Sequence, residues 1–388
     1  MPPDQKGIDV LACLGDAEHP DTWSSTPHHL LQAGRARGIL REGLKLDPGA
    51  LRRRRIGWNL LRALSGSGYG GYQFSVDFQE HLWAAQRPML RGRSVLNQFQ
   101  LFPPSIVGDE SILKAFYIDG TLKQLFEYNR HPSGWRVKRE AIERERAGYH
   151  AAQAIVTMSR FAADSVIGDY GIHPEKVHVV VPGANFDAEA YERWYAAADP
   201  NPPTDRPLRL LFVGKYWKRK GLDRLLRGLV LARARGLDAT LRVIGCDSTD
   251  LPRTLRGVKG VDWCGYISRN SEAERLFNLM AQCDVGCLLS RQEFSAIALR
   301  EYLALGLVVA GPDTGGCRDL MVEGGSISIP PAASDEDVAD ALMRLRDPTA
   351  FERMRQVAWE HRRSATWETS VAQLERILSA LPPAGGPA

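Results

Sequence analysis

The stretch from Ala196 to Pro207, Ala-Ala-Ala-Asp-Pro-Asn-Pro-Pro-Thr-Asp-Arg-Pro, does most to limit what this chain can become. Its crowded prolines remove amide donors and fix φ, so neither a helix nor a central strand runs through it. It is the clearest linker in the 388 residues, and each side is long enough for a core of its own. Both sides repeat one pattern, a short apolar run, a loop and then helical periodicity. Apolar runs bounded in this way read as strands buried on both faces and joined by crossover helices. Two such series predict an α/β chain of two Rossmann-like, doubly wound domains facing a central cleft. The expected boundaries are 1–200 and 207–365, with a C-terminal helix at about 366–381 packing back on the first domain. Ligands of such sheets meet the carboxyl ends of the strands.

In the first half, strands are expected at Ile8–Leu14, Ser94–Phe99, Leu113–Ile118, Ala154–Met158 and His178–Val181. Helices are expected at 27–38, 56–64, 136–153 and 162–170. The glycine-rich stretch Ser65–Gly71 reads as a loop; it lacks the Lys and Ser/Thr of a P-loop. In the second half, strands are expected at 208–213, 239–244, 261–264, 285–289, 307–310 and 326–329, and helices at 222–235, 271–283, 296–305, 335–346, 351–363 and 367–381. The tail from Pro382 is expected to be disordered.

No run of about 18 apolar residues is present, and Asp9, Asp16, Glu18 and Asp21 interrupt the first thirty, so a cytoplasmic protein is expected. The six cysteines include no C-x-x-C pair and read as buried reduced thiols, although the spacing of Cys283 and Cys287 allows both on one helix face. The net charge is +4. A dense basic block runs from Arg35 through Arg37, Arg41 and Lys45 to Arg52-Arg53-Arg54-Arg55. It is either a solvated face or a surface that meets an anionic membrane or a phosphorylated lipid carrier, peripherally on the inner membrane face. Nucleic acid is not an expected partner, because no recognition module accompanies the charge.

Chemistry concentrates between Glu293 and Gly316. Glu293 and Glu301 stand eight positions apart. Ser295 is expected as an N-cap, Ala296–Leu305 as a helix and Gly306 as its C′ residue. A little over two turns then separate the carboxylates, roughly 10 Å along the axis, with anion-attracting amides at the helix start between them. A second feature is Val213-Gly214-Lys215-Tyr216-Trp217-Lys218-Arg219-Lys220-Gly221. Lys215 and Lys220, in a strand-to-helix loop, form either a pyrophosphate clamp or a solvated basic loop. The absence of G-x-G-x-x-G argues against an NAD site.

Four motifs occur in order: Val181-Pro182-Gly183, Gly214-Lys215…Lys220-Gly221, Glu293 with seven residues to Glu301, and Asp313-Thr314-Gly315-Gly316. Together they resemble the retaining family-4 glycosyltransferases of GT-B fold, which draw sugars from nucleotide-sugar donors. The likeness covers nearly all of the second half and residues 143–187, and the first domain loosely. Trp23-Ser24-Ser25-Thr26-Pro27 is similar to a Trp-Ser-Gly-Thr-Pro loop of some bacterial members.

The resemblance implies a retaining transferase of bacterial glycan or glycoconjugate synthesis, with a nucleotide-sugar donor as substrate, no cofactor, and a glycan or lipid-linked acceptor. Lys220 and Lys215 would bind the donor diphosphate, with Lys215 standing where the family usually has Arg. Glu293 would face the donor sugar, the amides of Ser295, Ala296 and Ile297 would meet sugar and phosphate, and Glu301 would bond the ribose hydroxyls. Tyr266 to Arg269 would lie near the base, and Ser25 and Thr26 on the acceptor side. Phe294 and Ala296 replace two glycines frequent in the family. Asp119 stands where many relatives have a His and is the candidate acceptor-side polar group; the alternative is an Asp capping the turn before Gly120. Glu293, Lys220 and Asp119 make up the expected catalytic group. Two lysines can stabilise the leaving diphosphate, and no Asp-x-Asp stands near them, so metal-independent transfer is expected. Competing readings are a non-catalytic sugar-nucleotide-binding partner and a sugar-nucleotide epimerase.

Overall fold

The structure is a computed structural model. It describes residues 7–64, 70–99, 101–128, 131, 133–199 and 206–381. Half of the proline linker (200–205), the first five residues of the glycine-rich stretch (65–69) and the tail from 382 lie outside them. The chain divides into two compact units, 1–181 with 371–388, and 182–370.

The first unit carries a seven-stranded sheet of β1 (Ile8–Ala12), β2 (Gly15–Asp16), β3 (Leu40–Leu46), β4 (Ser94–Asn97), β5 (Leu113–Ile118), β6 (Ala154–Thr157) and β7 (Val177–Val179) in the order β2-β3-β1-β4-β5-β6-β7. All pairs are parallel except the one made by the two-residue edge strand β2. Its helices include α1 (Thr26–Ala36), α2 (Arg52–Leu64), α3 (Val76–Trp83), α4 (Leu122–Tyr128), α5 (Trp135–Ala151) and α6 (Arg160–Gly168). β4, β5 and β6 are buried along their whole length, as their apolar runs require. Their side chains pack with Trp83, Phe102, Phe116 and Tyr149 into one aromatic-rich core.

The second unit carries six parallel strands, β8 (Leu208–Val213), β9 (Ala239–Ile244), β10 (Val261–Trp263), β11 (Val285–Cys287), β12 (Val308–Pro312) and β13 (Ser326–Ile329), in the order β10-β9-β8-β11-β12-β13. Its longer helices are α7 (Ala188–Ala197), α8 (Leu222–Ala234), α9 (Ala273–Ala281), α10 (Ile297–Ala304), α11 (Asp335–Met343) and α12 (Pro348–His361). α13 (Trp367–Ser379) begins in this unit and continues, from Val371, in the first.

Several expectations differ from the structure, among them the absence of α3, α4 and α7 from the expected helices. Residues 182–199 group with the second unit rather than the first. They are held there because Ala184 N–H donates to Ala365 O at 2.7 Å, Tyr191 Oη to Ala304 O at 3.1 Å, and Trp367 Nε1 to Asn185 Oδ1 at 2.8 Å. Gly183 presses so closely on the 366–367 backbone that a Cβ would lie 2.1 Å from Trp367 N. Strand β3 is absent from the expected set, because Leu-Arg-Glu-Gly-Leu-Lys-Leu is a strand near the sheet edge whose alternation two charged neighbours interrupt. Cys283 and Cys287 do not share a helix; one follows α9 and the other ends β11.

Candidate active site

The residues expected at the donor come from loops at the carboxyl ends of β8, β10 and β11 and from α10. β8 and β11 are neighbours, and strand order reverses between them. At that point the connections diverge to opposite faces, which leaves a crevice for ligand.

Lys220 ends a helical turn, Trp217–Lys220, and Gly221 follows at φ +77°. A Cβ on Gly221 would lie 2.0 Å from Leu289 O. Only glycine therefore lets the turn press against the end of β11. Two backbone bonds lace the segments together, Leu289 N to Lys220 O at 3.2 Å and Arg291 N to Arg219 O at 2.9 Å. Asp223, in the first turn of α8, accepts both Arg291 amino groups at 2.9 and 2.8 Å.

Glu293 points into this junction. Its Oε2 meets Lys220 Nζ at 2.5 Å, Arg219 Nη1 at 3.0 Å and Ser290 Oγ at 3.3 Å. The Asp313-Thr314-Gly315-Gly316 motif holds the carboxylate's backbone. Gly315 has φ +53°, and a Cβ there would be 1.9 Å from Glu293 O. Gly316 N donates to Phe294 O at 3.0 Å. That bond keeps residues 293–296 out of the helix, so Ser295 is not its N-cap: the cap position is Ala296, without a side-chain capping bond. The Ala296 amide meets the buried Cys317 thiol, whose pKa burial pushes up to about 12. Ile297 is the first residue of α10, and Gly306 closes the helix at φ +68°.

Glu301 is fully buried on α10, and Arg269 grips both its oxygens at 2.5 and 2.9 Å. A buried carboxylate in an apolar helix needs such a fork. Tyr302, next on the helix, accepts Val213 N at 2.9 Å, and Gly286 lies over its ring, which seats α10 on β8 and β11. Lys215 reaches over the exposed ring of Tyr266, with Nζ 4.2 Å from the centroid.

In the first unit, Asp119 is half-buried at the end of β5. The first amide of α4, Leu122 N, is capped by Glu145, at 3.1 and 2.9 Å from its two oxygens. Glu145 also accepts Tyr149 Oη at 2.8 Å and the Tyr170 hydroxyl. Burial pushes its carboxyl up to about 8, while these hydrogen bonds pull the other way. Trp23, Ser24 and Ser25 take φ of 48°, 57° and 71° in succession, the left-handed region. Ser25 thus occupies a backbone conformation that favours the glycine of the loop it resembles. Its buried hydroxyl donates to Pro20 O, and Thr26 opens α1. His28 is bonded through Nδ1 to Glu18 O at 2.8 Å.

The structure thus gathers Lys220, Arg219, Ser290 and Glu293 in one cluster, Arg269 with Glu301 in a second and Lys215 with Tyr266 in a third. Asp119, Ser25 and Thr26 belong to the first unit. Sequence reasoning missed the roles of Arg219, Ser290 and Arg269. A carboxylate inside an apolar helix signals that a cation must meet it, but nothing local says which.

Residues 207–347 match the family model described as Glycosyl transferases group 1. The fold is that of GT-B glycosyltransferases, and the second unit carries the match to the group 1 glycosyltransferase model. The chain is 26% identical over 251 residues to the D-inositol 3-phosphate glycosyltransferase of Corynebacterium aurimucosum, covering 59% of this chain and 57% of that one. It therefore spans a little over half the length of this curated relative. Among solved structures it is similar to HepE of Anabaena, determined with UDP and glucose, at TM-score 0.61 and 14% identity, covering 96% of this chain and 100% of that one. It is similar also to WaaG, a glycosyltransferase involved in lipopolysaccharide biosynthesis, at TM-score 0.60 and 15% identity, with the same coverage.

Proposed function

We propose that the protein transfers a sugar, with retention at the anomeric carbon, from a nucleotide-diphosphate sugar to an acceptor hydroxyl in the synthesis of a bacterial glycan or glycoconjugate. The observation that carries the reading is the shared Glu293 oxygen, held by Lys220 and Arg219 at the strand-order reversal of the second sheet. A donor diphosphate would draw these two cations onto its own oxygens, freeing Glu293 to accept a sugar hydroxyl. Lysine and arginine would then neutralise charge as the diphosphate leaves, without a divalent ion. Lys215 would leave Tyr266 for the diphosphate, and the exposed ring would stack on the base. Glu301 would bond the ribose diol once Arg269 yields or shares it. The amides of Ser295 and Ile297, at the start of α10, would meet sugar and phosphate. On the acceptor side, Asp119 would orient the hydroxyl, and Ser25 and Thr26 would line the loop after β1 and β2.

The names of similar proteins set the order of testing. UDP-glucose heads the donor panel and D-inositol 3-phosphate the acceptor panel, with lipid-linked and glycan acceptors following. The purified chain should release nucleoside diphosphate with an acceptor present, and Glu293→Ala and Lys220→Ala should abolish release. Binding of nucleotide sugar without turnover on any acceptor would overturn the reading in favour of a non-catalytic partner. A changed sugar nucleotide formed without acceptor would overturn it in favour of an epimerase.

A further inference from the structure

The basic block splits in two in the folded chain. Arg35, Arg37 and Arg41 pair with Glu18, Glu375 and Asp9 and belong to the fold of the first unit. Arg52 to Arg55 open α2, a helix of thirteen residues none of which is buried; of the four, Arg54 pairs with Asp77 of α3 at 3.0 Å, and Arg52, Arg53 and Arg55 are exposed. That helix is amphipathic, but it is mounted with its apolar stripe outward. Ile56, Leu60 and Leu64, at i, i+4 and i+8, form one stripe with Leu61 beside it, and the four are 58%, 60%, 78% and 69% exposed in that order. The opposite side faces the unit: Trp58 is half-buried, and its ring centroid lies 5.7 Å from that of Tyr72. An ordinary surface helix turns its apolar stripe to the core. α2 also carries five arginines and no acidic residue.

We infer that α2 is a membrane-docking helix, which lies in the interface of an anionic bilayer with its leucine stripe at the acyl boundary and its arginines at lipid phosphates. This combination of outward leucines and flanking arginines is the chemistry of an interfacial helix. A second copy of the chain would bring arginine against arginine. Nucleic acid would leave the leucines facing phosphate and water. The inference stands apart from the sugar-transfer reading and does not rest on it.

The test is co-sedimentation of the full chain with vesicles of phosphatidylcholine alone and of phosphatidylcholine mixed with phosphatidylglycerol, at low and high salt. The expected result is binding to the anionic vesicles that weakens with salt. Replacing Arg52 and Arg53 by Glu should weaken the partition by roughly fivefold for each positive charge removed. Replacing Leu60 and Leu64 by Ser should abolish it. All four side chains are exposed, so thermal unfolding should be unchanged in both variants. The inference is overturned if the chain stays in solution with anionic vesicles, or if both variants sediment like the wild type. It is overturned equally if light scattering shows a dimer that the Leu→Ser variant dissociates, because the stripe is then covered by a second copy.

Discussion

Glu293 shares one oxygen with two cations, and the two contacts differ in kind. Lys220 is the more buried and sits behind a glycine that fixes its turn, whereas Arg219 reaches in from a largely exposed position. Lys220→Met should therefore lower kcat by about 100- to 1,000-fold, the usual loss for one preorganised charge at a developing anion, while Tm changes little. Steady-state kinetics with calorimetry checks both halves, and a KM effect alone would refute the assignment. The Arg269–Glu301 pair behaves differently. Glu301→Ala should cost about 3 to 5 kcal/mol, because Arg269 is left without its counter-charge. Adding Arg269→Met should recover much of that, which urea denaturation of the single and double variants measures. Glu145 predicts a pH effect. Its carboxyl, raised from an ordinary 4.5 to about 8, holds a proton in the folded state that the unfolded chain has already released. The folded state thus binds more protons between these values, so the stability this group contributes falls as pH rises from about 4.5 to 8. The Tm of wild type relative to Glu145→Gln should decline across that window, and a flat difference would refute the shift.

At the scale of elements, two glycines let the loops of the second sheet approach closely enough for their side chains to pair. Gly221→Ala pushes a Cβ into Leu289 O, and Gly315→Ala pushes one into Glu293 O, each at positive φ. Strain of this sort costs about 1 to 3 kcal/mol before the clash is counted. Both variants should lose several degrees of Tm, and Gly315→Ala should lose activity beyond its loss of folded protein. Gly257 is the control: a Cβ added there would meet nothing within 4 Å, so Gly257→Ala should leave both readouts near wild type. The motif glycines were visible as motifs. Their partners, carbonyls 68 and 22 positions away in sequence, were not.

For the whole molecule, the two units predict uneven responses to ligand. A nucleotide diphosphate at about 100 times its Kd should stabilise the unit it binds by about 2.7 kcal/mol. Limited proteolysis with UDP should then protect residues 182–370; protection confined to the first unit would misplace the donor site. Transfer should persist in EDTA, and activity lost there and restored by Mg²⁺ or Mn²⁺ would refute the metal-free reading.

The sequence by itself determined the two α/β series, most of their strands and the motifs to which the proposed donor chemistry is assigned. Buried parallel strands are continuous apolar runs and tight turns need glycine, and both signals are local. β5, β8, β9 and β13 begin and end at the residues expected of them. The tertiary structure alone decided where residues 182–199 belong, that Arg269 occupies Glu301, that Arg219 joins Lys220 on Glu293, and that α2 turns its leucines to solvent. Each depends on which distant surface an element meets. An amphipathic helix reads the same whichever way it is mounted, and a buried carboxylate demands a cation without naming it.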